Sequence, residues 1–161
     1  MRAVVLKAFG DPSNATVEEF PDPVLGLEDI LIQVQAVAAN FVDLLVIGGK
    51  YQFLPELPFV PGKAATGIVT EIGANVDRFK VGDRVLAMSE QGGYAQLLSI
   101  DQSQAYRIPD SLSFVDASSM SLVYDTAWFA MFERGRLRAG ETALVLGASG
   151  GVGYACVQLA K

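Results

Sequence analysis

The sequence predicts two unlike parts in succession. Residues 1–120 read as a mainly β unit closed as a barrel or sandwich, and residues 121–161 as a helical connector leading into the first strand, turn and helix of an α/β unit. Three observations carry this. Short runs rich in Val, Ile and Leu recur at roughly ten-residue spacing in the first part, separated by Gly and Pro turns. The pattern turns helical after Pro109. Near the end, LVLGASGGVG (144–153) sets a glycine-rich turn between an apolar strand and an apolar helical run.

Taken in order, residues 3–7 (AVVLK) and 29–38 (DILIQVQAVA) are strand candidates, the second with Ile30, Ile32 and Val34 in alternation. EEFPDPVLG between them reads as an edge strand and a turn, because proline cannot donate to a central ladder. Asn40 to Val46 has the composition of a short helix, with Asn40 as its N-cap and Gly48-Gly49 ending it. The proline-rich stretch QFLPELPFVPG is a loop. Ala64 to Ile72 follows as a strand in which Gly67 marks a bulge or a close backbone approach. Gly82-Asp83 turns into a strand over Arg84 to Met88, and GGYAQLLSI supplies another.

After Pro109, Ser113 with Asp116 begins a short capped helix, and a longer one runs from Ser121 to near Arg134-Gly135. RAGE then turns into the strand at 143–147, and a helix runs from Val152 to Lys161.

Composition narrows the function. The chain has 161 residues, 51% apolar and 19% charged, which is enough for a buried core. A net charge of −6 with few Lys and Arg argues against nucleic-acid binding. No stretch of about 18 consecutive apolar residues is present, and the N-terminal apolar run is short for a signal peptide, so no membrane association and a cytoplasmic location are expected. The chain has no His and one Cys, the side chains from which zinc sites are mainly built, so no metal site is expected. The same counts exclude a His-based triad. Cys156 reads as a small buried apolar residue, and Trp128 as core.

The glycine-rich turn carries the clearest chemistry. Ala148, Gly150 and Gly153 fall in the register of G-x-G-x-x-G with alanine first, and Ser149, Gly151 and Val152 complete the loop. Such a turn brings helix N-terminal amides against a dinucleotide pyrophosphate, which the helix dipole favours.

Over essentially the whole chain, the order and spacing of MRAVVLKAFG, NFVDLLVIGGKY, LPFVPG, VGDRV, the GGYAQ strand and LGASGGVG resemble the medium-chain dehydrogenase/reductases. Within them the likeness is to the zinc-free NADPH:quinone oxidoreductases. The resemblance implies a GroES-like β-barrel with a helical connector, followed by the first βα unit of a Rossmann α/β domain. It further implies a cleft between the two that holds NADPH and a small quinone or enone, and a homodimer for the full-length parent. Zinc enzymes of the same fold use Cys and His near the positions that Asn40 and Lys63 occupy here.

Hydride reduction of such an acceptor leaves negative charge on its oxygen, which hydrogen-bond donors must hold in the absence of zinc. The resemblance assigns the catalytic donor role to Asn40 and Tyr51, which bracket the segment corresponding to the family's nicotinamide wall. It assigns cofactor contacts to Asn40, Phe41, Asp43, Thr126 and the turn residues 148–153. Each has a plainer alternative: an N-cap for Asn40, loop packing for Tyr51, dipole compensation for Asp43, and back-bonding within its helix for Thr126. Lys63 and Ala64 depart from the family's usual acidic residue at the second of these positions, and Ile47 from its usual Arg. Lys63 is expected to be solvated.

The residue that discriminates NADPH from NADH is expected about 20 residues past the motif, beyond Lys161, so both dinucleotides stay open. Lys161 is expected to be a truncation point, leaving residues 141–161 as a weakly supported appendage prone to edge association. Two functions remain: reduction of quinones or α,β-unsaturated carbonyls, and a non-catalytic GroES-like binding module.

Overall fold

The computed structural model describes residues 1–161, which divide into two compact units, Met1–Ser118 and Ser119–Lys161. The first is built on antiparallel strands. β1 (Arg2–Leu6) pairs with β2 (Ala15–Glu19) as a hairpin. The remaining strands are β3 (Asp29–Val37), β4 (Ala65–Ile72), β5 (Arg84–Ala87), β6 (Leu97–Asp101) and β7 (Ala105–Arg107). They form one curled sheet in the order β6-β3-β4-β5-β7. Isolated bridges from Ala3 to Ala95 and from Leu6 to Phe59 tie the hairpin to the rest of the unit.

Alternation makes the core. In β3, Ile30 and Ile32 point inward and are fully buried against Val69 of β4, Val85 of β5 and Ile100 of β6. Each such side chain contributes about 1.5–3 kcal/mol by leaving water. A second cluster of Leu6, Val46, Ile47 and Phe59 seats the helix α1 (Phe41–Ile47) on β1, with Phe9 and Tyr51 packed at its margin. Gly67 lies where β4 crosses β3. A Cβ there would stand 2.1 Å from the Gln33 carbonyl oxygen, and the β3–β4 register slips beside it, between Val34 and Ala36.

Several expectations shift. The edge strand lies earlier than EEFPDPVLG, at Ala15–Glu19, because Pro21 and Pro23 end the pairing. The GGYAQLLSI strand begins only at Leu97, and β7 follows one short turn later. The two helices expected after Pro109 are one, α2 (Phe114–Trp128), which passes into a π-helical turn at Phe129–Arg134. Its start is capped as expected: the Asp116 N–H donates to Ser113 Oγ at 3.0 Å.

In the second unit α3 spans Gly151–Leu159. Residues 143–147 do not form a strand, because a strand needs a hydrogen-bonded neighbour and the second unit contains none. Leu144 and Leu146 are consequently 85% and 86% exposed. Trp128 is not core but half-exposed, stacked at a tilt on Phe132, and Cys156 is only partly buried. No helix is long and apolar enough to cross a membrane.

Candidate functional site

The predicted residues fall into both units. In the first, the chain leaves β3 and enters α1 through Ala38–Asn40. Asn40 is the N-cap, as its residue type suggests, and Asp43 returns to it: the Asn40 N–H donates to Asp43 Oδ2 at 2.8 Å. The Asn40 side-chain amide donates to the Ala38 carbonyl at 3.2 Å, which leaves its second N–H for other partners.

Asp43 does more than answer the helix dipole. It is buried, and its Oδ2 also accepts the Tyr94 hydroxyl at 2.8 Å. One carboxylate thus joins the segment that follows β3, the first turn of α1 and the segment before β6. Burial, and then the Asp43 carboxylate, push the Tyr94 phenol well above its ordinary range, because both disfavour phenolate. Tyr94 carried no signal in the sequence beyond its place after Gly92-Gly93. Together with Val4, Phe41, Leu44 and Ile47, these residues line an apolar depression of about 650 Å³. Phe41 is largely exposed at its edge.

Tyr51 stands past the other end of α1, and a helix of this length is about 10 Å long, so the structure does not join Asn40 and Tyr51 in one pocket. The Tyr51 ring packs against the Val46–Ile47–Phe59 cluster, and its hydroxyl makes no hydrogen bond within the chain. Above the ring, 5.1 Å from its centroid, sits the Lys63 ammonium. Lys63 is not solvated: its side chain is 5% exposed and pairs with Glu90, whose side chain is 77% exposed. The cation is held because α1 and the loop after it fold over the start of β4. No group of three His, Cys, Asp or Glu side chains is placed to hold a metal.

In the second unit, the Thr126 hydroxyl donates to the Leu122 carbonyl at 2.7 Å, the back-bonded alternative. The glycine-rich turn forms as its spacing implies. Gly147 adopts φ +77°, the Gly150 N–H returns to the Gly147 carbonyl, and α3 begins at Gly151 with no side-chain cap on its first-turn amides. A Cβ at Gly153 would stand 2.2 Å from the Gly147 oxygen, so only glycine lets the helix start fold back on the turn. Uncapped amides and small residues at Ala148–Gly151 fit a diphosphate.

Comparison with known proteins agrees with this architecture. Residues 26–110 match the family described as the alcohol dehydrogenase GroES-like domain. The quinone oxidoreductase-like protein 2 homolog of Nematostella vectensis is 39% identical over 160 residues, covering 99% of this chain and 44% of that protein. The crystal structure of the human synaptic vesicle membrane protein VAT-1 homolog-like protein superposes with a TM-score of 0.95 at 36% identity, over 99% of this chain and 52% of the other. A mycobacterial protein solved with NADPH gives a TM-score of 0.90 at 30% identity, over 99% and 49%. The chain spans about half the length of the curated relatives it matches. With the curled antiparallel sheet, the seated α1 and a family match across more than half of its residues, the chain belongs to the alcohol dehydrogenase GroES-like domain family, within the medium-chain dehydrogenase/reductases.

Proposed function

We propose that the protein serves a zinc-independent, NADPH-dependent reduction of quinones or α,β-unsaturated carbonyls. The observation that carries this is the start of α3, where uncapped amides follow a turn that tolerates only glycine at 153. The resemblance to a protein solved with NADPH supports the choice of dinucleotide.

Residues Ala148, Ser149, Gly151, Val152 and Gly153 would hold the diphosphate through backbone N–H groups and the helix dipole, and Gly150, whose N–H returns to Gly147, would let it approach closely. When bound, NADPH supplies a hydride. The chain's own contribution is orientation and charge stabilisation. Asn40, fixed by Asp43, offers its remaining amide N–H to the cofactor from the depression it shares with Phe41. Tyr51 offers an uncommitted hydroxyl to the acceptor oxygen, where negative charge accumulates. The proton that completes reduction comes from solvent.

The test is a titration of nicotinamide fluorescence with the chain, followed by NADPH oxidation with 1,4-benzoquinone in the protein carrying it. Saturable enhancement that Gly153→Ala weakens, together with oxidation that Asn40→Ala and Tyr51→Phe slow, supports the proposal. Absence of any NADPH binding refutes it and favours a non-catalytic binding module.

A further inference from the structure

Lys63 has no part in the function proposed above, yet it is the most unusually placed charge in the first unit. Its ammonium is buried over Tyr51 at the edge of a cavity of about 380 Å³ lined by Val46, Phe53, Leu54, Pro55, Glu90 and Gln91. That volume is ligand-sized, and the walls are largely apolar. A buried ammonium needs an opposite charge beside it, since removing one partner of such a pair leaves an uncompensated ion.

The partner it has is asymmetric. Glu90 is largely in water, so on release its carboxylate regains full hydration with a small rearrangement, while Lys63 cannot follow it. A neutral ligand that displaced Glu90 would strand the cation. A ligand that brings its own carboxylate would not.

We propose that Lys63 anchors a carboxylate-binding site and that Glu90 is its built-in occupant, exchanged for a small ligand with an apolar body and one carboxylate. The Tyr51 ring fixes the ammonium from below, and Phe53, Leu54 and Pro55 cover the ligand's body. In terms of the proposed reaction, this assigns the acceptor class as carboxylate-bearing enones or quinones, and to that extent it rests on the reading of Tyr51 as an acceptor residue. Binding itself requires no cofactor, so failure here and failure to oxidise NADPH are separate outcomes.

The test uses trans-cinnamate and its neutral isostere trans-cinnamamide, titrated into the isotopically labelled chain by NMR. Cinnamate is expected to bind about tenfold more tightly, a difference of about 1.4 kcal/mol, with shifts centred on the Val46 methyls and the Tyr51 ring. Glu90→Gln is expected to tighten cinnamate several-fold by removing the competitor and to leave cinnamamide unchanged. The same variant, with Lys63 now unpaired, should melt at lower temperature and recover on addition of cinnamate. Lys63→Met should abolish the preference for the charged ligand. Because Lys63 is buried and its variant can fail to fold, the exposed Glu90→Gln decides alone. Equal affinities, no binding of either probe, no effect of Glu90→Gln, or shifts centred elsewhere would each overturn the proposal.

Discussion

Replacing Asp43 by Ala removes the single acceptor shared by the Asn40 N–H and the Tyr94 hydroxyl, each at 2.8 Å. Hydrogen bonds to a charged group contribute about 1.5–3 kcal/mol each, so the gross loss is about 3–6 kcal/mol. Two effects reduce it. The Tyr94 hydroxyl keeps the Ala38 carbonyl at 3.4 Å as a partial acceptor, and removing a buried carboxylate also removes its desolvation cost. The net expectation is about 2–4 kcal/mol for Asp43→Ala and about 1–2 kcal/mol for Tyr94→Phe, the pair coupling by at least 0.5 kcal/mol in a double-mutant cycle. Tryptophan fluorescence is the wrong probe, because Trp128 belongs to the other unit. Amide hydrogen exchange in β3 and β4 reports the first unit directly. A loss below about 0.5 kcal/mol for Asp43→Ala, or strictly additive variants, would refute the view that this carboxylate holds three segments together.

Further outcomes follow from the same geometry. Gly67→Ala should destabilise the first unit by about 3 kcal/mol, since the new Cβ meets main chain rather than a side chain that can turn away; urea unfolding of the sheet checks it. Gly153→Ala should leave the exchange of β3 and β4 amides unchanged while reducing protection in the first turn of α3 and weakening NADPH about tenfold or more, as read by nicotinamide fluorescence. Tyr94 should stay protonated above the ordinary phenol range in an alkaline absorbance titration, read as the difference between the native chain and Tyr94→Phe. Its folded phenol lies above its unfolded value near 10, so above about pH 10 the unfolded chain sheds this proton first and stability falls as pH rises; Tyr94→Phe should flatten that slope.

The antiparallel unit was legible because burial on one face forces alternation, as at Ile30 and Ile32, and because Gly and Pro punctuate its turns. Asn40 announced the start of α1, and Gly67 a close approach, through residue type alone. What stayed hidden depends on partners distant in sequence. Nothing near Asp43 foretells that Tyr94 will reach it, and a lysine after Pro61-Gly62 looks like a surface residue until α1 and the loop after it fold over it. The run at 143–147 shows the converse failure. Its composition asks for a strand, but pairing is a property of neighbours and not of the segment.

The strand order has a consequence for how the chain is made. β3 lies between β4 and β6, so one of its edges is satisfied by the next strand in sequence, while the other waits for residues about 60 positions further on. At about 5–20 residues per second, the ribosome leaves the Ile30–Ile32 edge open for several seconds before Leu97–Asp101 emerges. Synthesis rate thus sets the interval during which the nascent sheet can be captured by a chaperone or by a neighbouring chain.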